Sequence, residues 1–498
     1  MSAPSHPDLQ LGVPLTGERR AFLRQLGVAG ILGAVGNAAA APANFAVTSS
    51  ASLRKLMRGT VVGKGEAAWP GWCKAMVWQQ RKPARRPPLI VQAANETDVI
   101  DAVRFARRNG LKVAVRTGGH SVWASFMRDQ GLLIDLSLLN RASFNRDDRS
   151  AVVQPALRGA QLIDRAAPLG LAFPVAHCGH VGLGGYLIGG GLGLNHDHWG
   201  AMACFSIRGA DVVTARGELV TVNASRNADL YWALRGAGQG FPGIVTKLQL
   251  ALQPRPQVLS SHYVLPLARA AEASEWVQAA LGDRRPAVEA LMVLARDADG
   301  QPVAIVMANA FAANSDAARA SLAPFAASEL ASAAEFKVEA APSSLENLLT
   351  DSNNPMTGLN AASSAVDTLW TARTADAVGA AAEQIQRALS PRTHAVIAFK
   401  SGRTLPADAA CSRIDRTFVG LYAAWTGAEG NDANLAWLRE ASTALQPFAS
   451  GHYINEIDIE AVPQRAQDCF SAKAWNRLAD VRHRHDPERM FHGFLGVA

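Results

Sequence analysis

Glycine sets the first constraint on this chain. Arg116-Thr117-Gly118-Gly119-His120-Ser121 puts an imidazole directly after a Gly-Gly turn. Cys178-Gly179-His180-Val181-Gly182-Leu183-Gly184-Gly185 puts a thiol at the head of a second glycine-rich run, which continues to Gly189-Gly190-Gly191-Leu192-Gly193. Glycines at this density let the backbone come close to a pyrophosphate and aim N–H groups at it. A His and a Cys beside such loops can each bond covalently to a flavin ring. A doubly anchored flavin would nearly fix the chemistry as two-electron oxidation of a small organic substrate.

The remaining composition agrees with a globular enzyme. The 498 residues suffice for two or three domains and a large core. Hydrophobic residues make up 49% and charged residues 18%, the balance of a globular protein. The net charge of +7 comes with no long basic run and no interleaving of base with aromatics, so no nucleic-acid partner is expected. A mild excess of base suits an anionic cofactor. Five cysteines leave at least one unpaired, and their spacings match no zinc pattern. His177, His180, His196 and His198 crowd together, but with Asp197 as the one nearby carboxylate no metal is expected.

Arg19-Arg20-Ala21-Phe22-Leu23-Arg24 precedes an apolar Gly/Ala-rich stretch, Leu26 to Ala41, and small residues follow at Ala39 to Ala43. This resembles a twin-arginine (Tat) signal over residues 1–43, which implies export of the folded, loaded protein by the Tat machinery to the periplasm or beyond. The stretch is too short and Gly-rich for a stable span, and no membrane insertion of the mature chain is expected.

Beyond it the chain has an α+β rhythm. Pro87 to Gln92, Leu111 to Val115, Leu132 to Leu136 and Ala151 to Gln154 read as strands. Asn95 to Gly110 and Gln161 to Leu169 read as helices, Ile207 to Val222 as a hairpin, and Gly243 to Leu252 as a further strand. Composition shifts near Pro254-Arg255-Pro256. Glycine clusters vanish, and strands such as Val288 to Leu294 and Pro302 to Met307 alternate with Ala-rich helices such as Ala317 to Ala323. Ser471 to His483 is a last helix. Gly238-Gln239-Gly240-Phe241-Pro242-Gly243 formally satisfies G-x-G-x-x-G, but a strand follows where a dinucleotide fingerprint needs a helix.

Taken together, Arg116 to Ser121, Cys178 to Gly193, Asp229 to Gly236, Gly243-Ile244-Val245-Thr246, Tyr453-x-Asn455 and Asp486-Pro487 resemble the berberine bridge enzyme-like branch of the vanillyl-alcohol oxidase flavoproteins. The resemblance implies a two-lobed PCMH-type FAD-binding domain, from residues 44–255 and completed by 450–498. It implies a central substrate domain at 256–449, an antiparallel sheet backed by helices. FAD would lie against Arg116, Thr117, Gly118, Gly119, Ser121, Val181, Gly182, Gly184, Gly185, Gly189, Gly190, Gly191, Gly193, Gly243, Ile244, Val245 and Asn455. His120 would carry the flavin 8α-methyl and Cys178 its C6.

Val181 stands where plant members gate oxygen, and Val there admits O2, so the resemblance favours an oxidase producing H2O2. The alternatives are a dehydrogenase passing electrons to a quinone or cytochrome, and a flavin-bearing binding protein. Tyr453 is the candidate base, taking a proton as hydride leaves an alcohol, sugar, amine or phenolic substrate. A phenol needs a stabiliser to ionise near neutral pH. The segment Phe418-Val419-Gly420-Leu421-Tyr422 is apolar where a charged or polar partner is usual, which leaves Lys400, Arg403, Arg416 or Glu456 to serve. Trp370 and Tyr422 are candidate substrate contacts.

Overall fold

In a computed structural model the residues described are 50–195, 197–282, 287–350, 362–400 and 405–497. The signal segment, His196 and Arg403 lie outside them. Four short strands, Thr60–Gly63, Leu89–Gln92, Val113–Arg116 and Leu132–Asp135 (β1 to β4), form a first sheet in the order β1-β2-β4-β3. The central strand β4 runs parallel to both neighbours and is buried along its whole length, as its unbroken Leu-Leu-Ile run requires. The helix Glu96–Arg108 covers this sheet. Asn95 caps it by accepting the Asp98 N–H at 3.0 Å, and Val99, Ala102, Val103 and Ala106 are its buried face.

A second, antiparallel sheet joins Ala142–Asn145 (β5), Ser150–Val153 (β6), Ile207–Val213 (β8), Leu219–Asn223 (β9) and Ile244–Ala251 (β10) in the order β5-β6-β10-β8-β9. The expected hairpin is the β8–β9 pair. Leu171–Ala172 (β7) and Gln253–Pro254 (β11) make a small ribbon. Gly182 opens a short helix, Leu183–Ile188, inside the segment read from sequence only as a loop. The G-x-G-x-x-G stretch folds as one 3-10 turn, Gly238–Gly240, and feeds β10, with no helix after it.

The third sheet is the largest: Gln257–Pro266 (β12), Val288–Arg296 (β13), Pro302–Ala312 (β14), Phe336–Ser343 (β15), Ser363–Thr371 (β16), His394–Phe399 (β17) and Thr417–Trp425 (β18). Its order is β15-β12-β14-β13-β17-β18-β16, antiparallel throughout. Helices Ala270–Leu281, Thr374–Gln386 and Asn431–Leu445 pack on one face. The chain then returns to the first sheet. Phe491 bridges Val113, and the His492 N–H donates to the Val113 carbonyl at 2.9 Å. The fold is α+β, with two strand-rich lobes built before Gln257, an antiparallel sheet backed by helices, and a C-terminal helical segment that returns to the first sheet. Among the described residues no helix is long and apolar enough to cross a membrane.

Candidate active site

One cavity of about 390 Å³ lies between the loops of the first two sheets and the open face of the third. Arg116 to Ser121 form one wall, leaving the C-terminal end of β3. Arg116 and Asp135 face each other across the parallel β3–β4 register, buried and ion-paired. The same guanidinium donates to the Met76 carbonyl at 2.8 Å and the Thr117 carbonyl at 3.0 Å. Arg116 is therefore a tie that shapes the loop from behind. Beyond Gly118-Gly119 the His120 ring stacks on Trp78, centroids 4.8 Å apart and planes 15° apart, and both rings line the cavity. Nothing in the sequence marked Trp78 for that place.

The second glycine segment meets the first backbone to backbone. A Cβ on Gly118 would lie 3.2 Å from the Gly182 nitrogen, and one on Gly182 would lie 3.4 Å from the Gly118 nitrogen. Gly185 is exposed towards the cavity, and a Cβ there would meet nothing nearer than Thr117 Oγ1 at 3.9 Å. The two bare stretches thus form a continuous side-chain-free cradle. Cys178, Val181, Gly182, Gly184 and Gly185 line it, and so do Gly243, Ile244 and Val245. A flat ring with a pyrophosphate tail fits walls of this kind, and His120 and Cys178 both line the cavity. Burial pushes the Cys178 thiol above its ordinary pKa, against the pull of the neighbouring His180 and Val181 backbone and of Arg158.

Gly189, Gly190, Gly191 and Gly193 do not line the cavity, and their part differs from the expected cofactor contact. They let other groups close in behind the wall. A Cβ on Gly189 would sit 2.0 Å from Asn455 Oδ1, so only glycine admits Asn455. Gly190 and Gly191 pack against Tyr453 and Tyr186, and Gly193 against Tyr186 and the Val175 carbonyl.

Tyr453 lines the cavity beside Asn455. Its hydroxyl oxygen accepts from the Gly191 and Leu192 N–H groups, each at 3.1 Å, and from Asn455 Nδ2 at 3.0 Å. Three converging donors would hold a phenolate. Burial opposes that, Glu456 adds to the opposition, and the balance leaves the phenol well above its ordinary pKa. Among the described residues the hydrogen bonds to this hydroxyl come from backbone and Asn455, and neither Lys400 nor Arg416 lines the cavity. Lys400 is buried and donates to the Ala201 carbonyl at 2.8 Å. Glu456 is the member of the expected set that reaches the cavity, where its carboxylate accepts the Tyr422 hydroxyl at 2.8 Å.

The open sheet face supplies the other wall: His262 from β12, Leu291 and Val293 from β13, Met307 and Asn309 from β14, Val396 and Ala398 from β17, Phe418 and Tyr422 from β18. Alternate residues point the same way, and cross-strand pairs such as Leu291–Met307 and Ala398–Phe418 align them in rows. Tyr422 is where it was expected. Trp370 is not; it is fully buried and outside the cavity lining. His177 also lines the cavity, with Nε2 3.1 Å from the buried Glu289 carboxylate. Burial works against its charge, but Glu289 outweighs burial and raises the imidazole pKa. Glu289 gave no sequence signal, because a lone Glu in an apolar strand shows its partner only in three dimensions.

Comparison with known proteins meets this geometry. The family described as FAD binding domain matches residues 87–223, the span holding both glycine segments. The chain carries an FAD-binding domain. It is 29% identical over 434 residues to the FAD-linked oxidoreductase nodO of Hypoxylon pulicicidum, covering 85% of this chain and 94% of that one. Further FAD-linked oxidoreductases match at 34–35% identity, and there the chain spans about half of their length. A crystal structure of 6-hydroxy-D-nicotine oxidase from Arthrobacter nicotinovorans superposes with a TM-score of 0.76 at 23% identity, covering 89% of this chain and 98% of that one. Physcomitrella patens BBE-like 1 superposes at 0.75 with 19% identity, covering 90% and 99%. These two share the fold. As an enzyme the chain is an FAD-linked oxidoreductase.

Proposed function

We propose that the protein takes hydride from a C–H bond next to oxygen or nitrogen in a small organic molecule, with FAD held covalently by His120 and Cys178 and reoxidised by O2 to give H2O2. One observation carries this: His120, Cys178 and Val181 line the same bare-backbone cradle, and that cradle opens onto a mostly apolar sheet face with room for a substrate. Bound FAD supplies the two-electron acceptor and, held through two ring substituents, a raised potential. The chain's own residues orient and exclude water. The Trp78 ring backs His120, the sheet side chains shape the opposite wall, and Tyr453 and Glu456 stand where protons move.

Purified protein mixed anaerobically with a substrate should bleach its flavin absorbance and, on exposure to air, release one H2O2 per product. Bleaching without peroxide would favour a quinone or cytochrome acceptor; no bleaching with any amine, alcohol or sugar would leave a binding protein. Val181→Leu narrows the wall beside the ring and should slow reoxidation by O2 by tenfold or more, while leaving anaerobic flavin reduction within about twofold (ΔΔG‡ ~1.4 kcal/mol for each tenfold). Stopped-flow recording of the two half-reactions separates them.

Tyr453 is proposed as the proton acceptor for a substrate hydroxyl. Because its phenol is held above the ordinary range, kcat/KM on a neutral alcohol should keep climbing with pH through the alkaline region as phenolate forms. Tyr453→Phe should flatten that limb and lower the rate by about a hundredfold or more. An unchanged pH profile in the variant would remove Tyr453 from the chemistry. The N-terminal pattern supports export by the twin-arginine route, testable by fractionation of cells with Arg19 and Arg20 both changed to Lys.

A further inference from the structure

The geometry points to a subsite for a positively charged nitrogen on the cavity floor, with the Glu456 carboxylate as counter-ion and the open sheet face as the wall for the rest of the molecule. This rests on the oxidoreductase function proposed above and narrows its substrates to molecules with an apolar or aromatic body that carry a cationic nitrogen away from the C–H that gives up hydride.

Glu456 directly follows Tyr453-Ile454-Asn455, so the turn that places the phenol also places the carboxylate. It is only part-buried, and its remaining exposure opens into the cavity it lines. One polar partner is the Tyr422 hydroxyl, which leaves capacity on a carboxylate able to accept several bonds. Among the described residues no lysine or arginine forms an ion pair with it. The two arginines of the cavity lining are committed elsewhere, Arg116 to Asp135 and Arg128 to the Gly493 carbonyl. The neighbouring basic group is the His177 imidazole, and that ring is paired with Glu289. Two carboxylates therefore share one imidazole on this floor.

A carboxylate held this far from bulk water is costly without a compensating charge, and burial accordingly raises the Glu456 pKa. A cationic ligand would offset that cost. The surroundings suit an organic cation better than a hydrated one. Tyr422, Tyr453 and Phe418 present ring surface around the floor, and aromatic faces attract cations. Leu291, Val293 and Met307 continue the wall with no charge of their own.

The test uses two size-matched probes on the purified flavin-containing protein, benzyltrimethylammonium and the uncharged 2-methyl-1-phenylpropan-2-ol, titrated by calorimetry. The ammonium should bind at least tenfold more tightly. Glu456→Gln should bring the two affinities within about twofold, chiefly by weakening the ammonium. Tyr422→Phe, which keeps the carboxylate, should preserve the preference. Equal affinity of the two probes for the wild-type protein, binding of neither, or a preference that survives Glu456→Gln would overturn the inference. The wild-type comparison decides the matter even if Glu456→Gln does not fold. Flavin content, read from the visible spectrum of the same samples, reports separately on the oxidoreductase function.

Discussion

Acid-denatured protein carrying His120→Ala together with Cys178→Ala should contain no flavin, whereas the wild-type chain should retain one FAD. The effect is all or none, because a covalent bond survives loss of the fold and non-covalent contacts do not. Each single variant should keep the yellow colour through its remaining bond. Intact mass after acid precipitation, with peptide mapping around both residues, reads the result directly. His120 and Cys178 sit on different segments brought together by the Gly118–Gly182 contact. Release of all flavin from the wild-type chain would leave the cradle standing and remove the covalent anchors.

Asp135→Ala should be the most destabilising single change at the site. It leaves the Arg116 guanidinium, 6% exposed, without its carboxylate in the interior. Breaking a buried pair from one side costs about 3–5 kcal/mol. Asp135 also accepts the Ser137 hydroxyl at 2.6 Å and Gln92 Nε2 at 3.2 Å, so a small polar network goes with it. A downward shift in the denaturant midpoint of that size should be accompanied by weaker flavin retention, since Arg116 ties the loop that carries His120. Removing both charges with Arg116→Met and Asp135→Ala should recover much of the stability but not the loop geometry. A loss below about 1 kcal/mol in Asp135→Ala would mean that the pair is not load-sharing in the way its burial indicates.

Much of the secondary structure was legible because local rules were strong. Asn95 before an amphipathic run announced the helix Glu96–Arg108, and the apolar run at Leu132 announced a doubly covered strand. The short helix Leu183–Ile188 was hidden, because glycine-rich sequence has almost no intrinsic helix preference and tertiary packing decides. At the site, His120, Cys178, Val181, Tyr453 and Asn455 could be named from their motifs. The role of the later glycines could not. Gly189 is needed by Asn455, 266 positions away in sequence, and no local pattern encodes such a contact. Trp370 failed as a substrate contact because a period-2 strand gives two faces without saying which one is open.

By itself the sequence determined the chemistry class: glycine segments bare enough for a cofactor, each carrying a group able to bond to it, embedded in an α+β pattern. That information is local, written in side-chain absence and short spacing. Only the tertiary structure decided what surrounds the reacting centre. It set Trp78 behind His120, paired His177 with Glu289 and put Glu456 on the cavity lining with no lysine or arginine ion-paired to it among the described residues. Those choices are made by strand register and by the docking of the sheets, which fix distances between residues remote in sequence. The substrate-binding character follows from those distances, because burial and the sign of the neighbouring charges set the charge a ligand must bring.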